Sequence, residues 1–165
     1  MVVGSMTPKE RFIAALNGQP VDRPCAASIT SVVNFELMDL VGPRFPEANT
    51  EPGPMAELAA SAHDLMGFDS VMPVFGIAQE ATAIGCVVDF SDPDNMPTPQ
   101  FAPWADRDAE IRLPDGFPDS FFEDKYVKCA LDAIRLLKSH FGDKVMILGK
   151  VMGARVIAAA STQEK

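Results

Sequence analysis

Gln79 and Glu80 stand side by side within "VMPVFGIAQEATAIGC", Val71 to Cys86, a stretch otherwise ready for burial. An amide presents both a donor and an acceptor, and a carboxylate can orient a substrate or a metal ligand. Two arrangements explain the pair. Either a helix begins here and both side chains lie on its wet first turn, where the dipole favours a carboxylate, or a strand ends at Pro73 to Phe75 and the pair stands at the mouth of a pocket. Lys150 in "LGKVMG" raises a similar question. A lysine in an apolar strand either snorkels to solvent or ends at a functional rim, because an unpaired buried ammonium is costly.

The remaining reactive residues favour structural roles. His63 and Asp64 lie mid-helix, where a histidine is more often exposed or satisfied in the core than a ligand. His140, near a helix end, suits the C-terminal dipole. Cys25, Cys86 and Cys129 are far apart and odd in number, which fits reduced thiols in a cytoplasm better than a disulfide frame. Buried thiols are the commoner state of such cysteines, so no metal ligand is assigned. "DPDNMP", Asp92 to Pro97, has the acidity to hold a cation, but its composition is that of a turn whose Asp and Asn bond their own backbone. Glycine-rich nucleotide loops, HExxH and CxxC are all missing from the sequence. With 14 basic and 23 acidic residues the net charge is −9, which counts against nucleic acid and anionic membrane surfaces as partners. Apolar runs fall short of the roughly 18 residues a membrane span needs.

These residues need elements to position them. "TPKERFIAALNG" combines a Thr7 cap, Pro8 in the first turn, Glu10 for a capping box and Gly18 as a stop, with Phe12, Ile13, Ala15 and Leu16 as its apolar stripe. Cys25 to Thr30 reads as a short buried strand, and "NFELMDLVG" as a helix ending at Gly42. "PRFPEANTEPGP" reads as a Pro-rich surface connection. A helix follows from Met55, with Met55, Leu58, Ala59, Ala62, Leu65 and Met66 on one face and Gly67 as its end. "DSVMPVF" is the second strand, "IAQEATAIG" a short helix and "CVVDF" an extended piece. Ser91 to Asp119 is a long irregular excursion. The last helix runs from about Phe122 to Phe141, with Val127, Ala130, Leu131, Ile134, Leu137 and Lys138 in register, and "KVMILGKVMG" is a third buried strand. Short strands alternating with helices imply parallel βαβ units and an α/β fold. Three strands do not complete a (β/α)8 barrel, which takes roughly 250 residues. An open doubly wound sheet usually carries a glycine-rich first turn, and none follows "CAASIT".

Several of these stretches together are familiar. "MTPKERFIAALNGQPVDRP" resembles the opening of the uroporphyrinogen decarboxylase-like superfamily. "ELMDLVGPRFPEANTEPGPMAELAASAHDLMGFDSVMP", "QEATAIGCVVDF", "DNMPT" and "LGKVMG" resemble its branch of methylcobamide:coenzyme M methyltransferases. The resemblance implies the N-terminal portion of a (β/α)8 TIM-type barrel, with a pocket at the carboxyl ends of its strands. It covers 6–153 as the barrel portion. It leaves 154–165 as an atypical tail, so that the chain reads as truncated after about three strands.

By that resemblance, Thr30, Gln79, Glu80 and Lys150 line this half of the pocket as polar contacts, and none is assigned a catalytic role. The branch moves a methyl group from a methylated corrinoid protein to a small thiol activated by zinc. Its His-x-Cys pair and later Cys have no counterpart in this sequence, so zinc and corrinoid are expected only of a longer enzyme, and this chain alone is expected to be inactive. A tetrapyrrole decarboxylase of the same fold is the first alternative. It is disfavoured because "SITSVVNFE" lacks the arginines that hold substrate carboxylates, and Gly76 stands where a pocket aspartate is expected. A non-catalytic subunit that pairs with a complementary half-barrel, or with itself, is the second.

Overall fold

The computed structural model describes residues 5–104, 110, 112–153 and 157. The expected tail, 154–165, lies outside them except for Ile157. Helix α1, Pro8–Leu16, starts as its sequence dictates: Thr7 accepts from the Glu10 amide and Glu10 reaches back to the Thr7 amide. Thr7→Ala is expected to cost about 1 kcal/mol of stability, read as a lowered urea midpoint. The helix does not bury the expected stripe. Arg11 and Ala14 turn inward while Ile13 and Leu16 are exposed, because Arg11 is anchored to two carboxylates beneath the helix.

Cys25 to Thr30 is not a buried strand. Ala26, Ala27, Ile29 and Thr30 are exposed, Ile29 to 85%. Serine hydroxyls occupy the positions a backbone ladder would use. Ser28 N–H donates to Ser70 Oγ at 3.2 Å, and Ser70 Oγ donates to the Ser28 carbonyl at 3.1 Å. Such side-chain bonds compete with strand pairing. One backbone bond, from Asp69 N–H to the Ala26 carbonyl at 2.6 Å, still ties the segment to the strand that follows.

Helix α2, Phe35–Val41, is capped by Asn34 and ends at Gly42 in a positive-φ conformation. The Pro-rich stretch beyond it is not a surface connection. Helix α3, Glu47–Thr50, buries Ala48 and Asn49, and the Phe45 ring packs 5.9 Å from Phe75. The apolar partners of Phe45 and Ala48 come from distant segments, which composition does not show. Helix α4, Pro52–Asp64, begins at a proline that its first turn tolerates. It buries Met55, Leu58, Ala59 and Ala62, while Leu65 and Met66 fall past its end and are exposed.

Strand β1, Ser70–Val71, leads to helix α5, Gln79–Thr82. Strands β2, Val87–Asp89, and β3, Thr98–Phe101, then pair antiparallel, so the excursion expected to be irregular opens as a hairpin. At its turn, Asp92 Oδ1 accepts from the amides of Asp94 and Asn95, the backbone-bonded reading of that acidic stretch. Helix α6, Asp119–Glu123, breaks at Asp124. That residue caps helix α7, Lys125–Phe141, by accepting from the amides of Tyr126 and Val127.

On α7, Cys129, Ala133, Leu137 and Phe141 recur every fourth residue on the buried face, and Lys138 is exposed. Strand β4, Met146–Ile147, pairs parallel with β1, Ser70 opposite Met146 and Val71 opposite Ile147. Leu148 N–H still donates to the Val71 carbonyl of β1 at 2.9 Å, and the rest of the expected third strand, Gly149 to Gly153, is not strand. One core joins α4 and α7 to Val71 and Phe75; a smaller one gathers Ala81, Ile84 and Cys86. A parallel pair requires a crossover, and here α7 supplies the helix that covers it.

Candidate functional site

The two ends of β1 differ in chemistry. At its amino end, Asp69 is fully buried between two arginines. Arg11 Nη1 donates to Asp69 Oδ1 at 2.5 Å, and Arg23 reaches both oxygens at 2.7 and 3.0 Å. Arg11 also grips Asp22 with Nε and Nη2, at 2.6 and 2.9 Å, and donates from Nη2 to the Met6 carbonyl at 2.7 Å. Burial by itself would raise the Asp69 pKa. The Ala26 amide and the two guanidinium groups outweigh it and hold the carboxyl below its ordinary range. Hydrogen bonding to Arg11 likewise lowers that of Asp22. Sequence reasoning missed this cluster. The ion pairs that build it span 11, 46 and 58 residues of chain, and nothing local in the sequence joins them.

At the carboxyl end, Met72 to Gly76 stays buried after β1 has ended. Val74 adopts φ +71°, a left-handed conformation that a β-branched residue enters at a cost of about 1–3 kcal/mol. Gly76 follows. A Cβ there would lie 3.0 Å from Gln79 Nε2, 3.1 Å from Gln79 Oε1 and 3.3 Å from Pro97 Cδ. The glycine therefore makes room for the Gln79 amide.

Gln79 opens α5 and is 2% exposed, so it is not on a wet helical turn. Neither of its polar atoms has a hydrogen-bond partner among the described residues. Glu80 Oε1 accepts from the Met152 amide at 3.0 Å, and its buried Oε2 is also without a partner among the described residues. The Thr82 hydroxyl lies 2.7 Å from the Gln79 carbonyl and 2.9 Å from Asp124 Oδ1, fastening α5 to the cap of α7.

Lys150 lies two residues before the amide that holds Glu80 and is half-buried. Burial pushes its pKa down, and the Glu80 charge partly restores it. No described ion pair or hydrogen bond joins Lys150 to Glu80, so Lys150 lies near the carboxylate without gripping it. Thr30 is exposed, its amide donating to Ser28 Oγ at 3.2 Å, and no described hydrogen bond links it to the other three.

His63 is satisfied in place: Nδ1 lies 2.7 Å from the Phe68 carbonyl and the ring packs edge-on against Phe141. His140 Nε2 lies 3.5 Å from Asp64. A cleft of about 630 Å³ among α2, α4 and α7, lined by Leu40, Ala56, Ala60 and Leu136 among others, shares none of the Gln79 corner's residues.

Zinc calls for deprotonated thiols and imidazoles brought together. Among the described residues no three His, Cys, Asp or Glu side chains gather in this way. Burial raises the thiol pKa of Cys25, Cys86 and Cys129, the last to about 11. The described residues do not fit a zinc site.

The family model for uroporphyrinogen decarboxylase (URO-D) matches residues 7–163. The chain belongs to the uroporphyrinogen decarboxylase family. Within URO-D, a methylcobamide:CoM methyltransferase, MtaA, from Methanosarcina barkeri is 30% identical over 159 residues, 95% of this chain and 45% of its own length. A second, MtbA from Methanosarcina acetivorans, is 32% identical over 147 residues, 89% of this chain and 42% of its own. A solved methyltransferase from Methanosarcina mazei superimposes with a TM-score of 0.83 at 30% identity, over 95% of this chain and 45% of that one. This URO-D chain thus spans less than half the length of the curated relatives it matches. Its α/β fold corresponds to part of that methyltransferase. No helix among the described residues is long and apolar enough to cross a membrane.

Proposed function

We propose that this URO-D chain forms the amino-terminal part of a methyltransferase barrel, comprising 6–153, that passes a methyl group from a methylated corrinoid to the thiol coenzyme M. The observation that carries this reading is the buried Gln79 amide, without a partner among the described residues, beside Glu80 at the carboxyl end of β1, where barrel enzymes keep their pockets. The relatives' names supply the reaction class. In such a transfer the thiol would give up its proton to solvent or a base, the thiolate lone pair would form the S–C bond, and the C–Co electron pair would stay with the corrinoid.

The residues of this chain bind and orient. Gln79 and Glu80 receive polar groups of the ligand, Lys150 offers a cation at the rim, and Thr30 lies on the segment beside β1. Activation of the thiol is not assigned to these residues. The decarboxylase reading is the weaker one. Arg11 and Arg23 are committed to Asp69, and Arg44 pairs with Asp39, which leaves none of the three for substrate carboxylates.

Calorimetric titration with methylcobalamin and with coenzyme M tests the proposal. Binding of methylcobalamin that weakens about tenfold in Gln79→Ala is expected, the loss of one well-placed hydrogen-bonding group. Tight binding of a porphyrinogen, with none of methylcobalamin, would reverse the assignment.

A further inference from the structure

We infer that Thr82 and Asp124 are positioning residues for the Gln79 amide and act on it through the backbone of α5. The identity of the ligand that Gln79 receives rests on the methyl-transfer reading; the positioning rests on the chain alone. Helix α5 cannot hold Gln79 in place by itself. It is a single turn of four residues, Gln79–Thr82, and no side chain caps its start at Ala78. One turn fixes several backbone angles for a single hydrogen bond, so a segment this short depends on the groups around it.

Among the described residues, side-chain bonds tie α5 to two distant segments. Glu80 Oε1 accepts from the Met152 amide, which fastens the helix to the segment after β4. The Thr82 hydroxyl lies 2.9 Å from Asp124 Oδ1, 42 residues away, and 2.7 Å from the carbonyl of Gln79 itself. An ionised carboxylate only accepts, so Thr82 O–H donates the bond to Asp124, and a charged acceptor makes that bond stronger than one between neutral groups. With one hydrogen for two acceptors, the hydroxyl is shared between the carboxylate and the Gln79 carbonyl. Asp124 is itself fixed, because the same Oδ1 accepts from the amides of Tyr126 and Val127 at 2.8 and 3.2 Å as the cap of the 17-residue α7. Support therefore runs from α7 through Asp124 and Thr82 to the Gln79 backbone. Beyond it, the Gln79 amide is packed over Gly76, its Nε2 only 3.0 Å from the place a Cβ would take there. Hydrogen bonds weaken steeply with misalignment, so a small displacement of α5 takes the amide out of register with a partner group.

Thr82→Val keeps the shape, removes the hydroxyl and leaves both amide bonds of the α7 cap in place. Thr82→Ser restores the hydroxyl and is its control. In the unliganded chain, the side-chain NH2 resonances of Gln79, assigned by their loss in Gln79→Met, are expected to shift in Thr82→Val and to keep their natural positions in Thr82→Ser. Unmoved resonances in Thr82→Val, or equal shifts in both variants, overturn the inference. A second arm measures methylcobalamin binding in a cycle with Gln79→Ala. Thr82→Val alone is expected to weaken binding about fivefold, the equivalent of one net hydrogen bond. In the Gln79→Ala background it is expected to change binding by less than about twofold, because the residue it acts through is gone. The same loss in both backgrounds would make Thr82 a residue of the fold in general and overturn the inference. If the natural chain binds no methylcobalamin while the resonances respond as expected, the positioning stands and the methyl-transfer reading falls. If Thr82→Val binds methylcobalamin as the natural chain does, the methyl-transfer reading stands and the positioning inference falls.

Discussion

Arg11→Met is expected to lower the unfolding free energy of this chain by about 3–5 kcal/mol, because it removes one partner of a buried ion pair and strands the other. Asp69 has no exposed surface, and Arg11 is only 5% exposed. Water cannot take over the lost bond without opening the amino end of β1. Arg23 and the Ala26 amide keep part of the carboxylate satisfied, yet the 2.5 Å bond from Arg11 disappears, and the two-pronged grip on Asp22 disappears with it.

Arg11→Lys is expected to rescue little, since an ammonium cannot reproduce a fork that reaches Asp22, Asp69 and the Met6 carbonyl together. Adding Asp69→Asn to Arg11→Met is expected to recover part of the loss, because it removes the stranded charge. Urea denaturation of the three variants reads all of this.

The pH dependence has a definite sign. The Asp69 and Asp22 carboxyls have folded pKa values below their ordinary range, so their contribution is complete above that range and fades as pH falls through the folded values. The gap between the natural chain and Arg11→Met is therefore expected to be widest near neutrality and to narrow below about pH 4. A gap that is constant down to low pH would mean that Arg11 acts through packing of its stem and not through these carboxylates.

Gln79→Leu is expected to act in the opposite direction. Leucine fills a similar volume and carries no polar side-chain atoms, so the variant removes two buried atoms that have no partners among the described residues. Stability is expected to rise by about 1–3 kcal/mol, the desolvation penalty of such groups. Binding of methylcobalamin is expected to weaken about tenfold at the same time, as for Gln79→Ala. This is the trade-off of a site kept at the expense of the fold. Val74 adds to that picture, as a strained residue five positions earlier in the segment that leads to Gln79. Gly76→Ala provides a milder companion. Its methyl group would press on the end of the Gln79 side chain, which can move, so the ligand contact is disturbed more than the fold.

Elements whose determinants lie close together in the chain were legible in the sequence. The Thr7–Glu10 capping box, the Asn34–Gly42 helix and the face of α4 from Met55 to Ala62 needed only local reading. The Gln79–Glu80 corner was legible as a polar pair in an apolar run, although its burial was not decided until Gly76 and Pro97 could be placed around it. What was not legible depends on distant partners. Arg11 faces inward because of Asp69, 58 residues away, and this turns the apolar stripe of α1 outward. Cys25 to Thr30 lost its strand to the hydroxyls of Ser28 and Ser70, which look like ordinary small strand residues in the sequence. The segment beyond Phe90 concealed β3 because Pro99 and the acidic turn before it read as loop.

The most direct measurement takes one preparation of Gln79→Leu beside the natural chain and records two quantities, the urea unfolding free energy and the Kd for methylcobalamin. The expected result is a more stable protein that binds methylcobalamin about tenfold more weakly, which would establish the corner as a ligand site. A less stable protein that binds methylcobalamin unchanged would contradict it, and would make Gln79 a structural residue of the barrel.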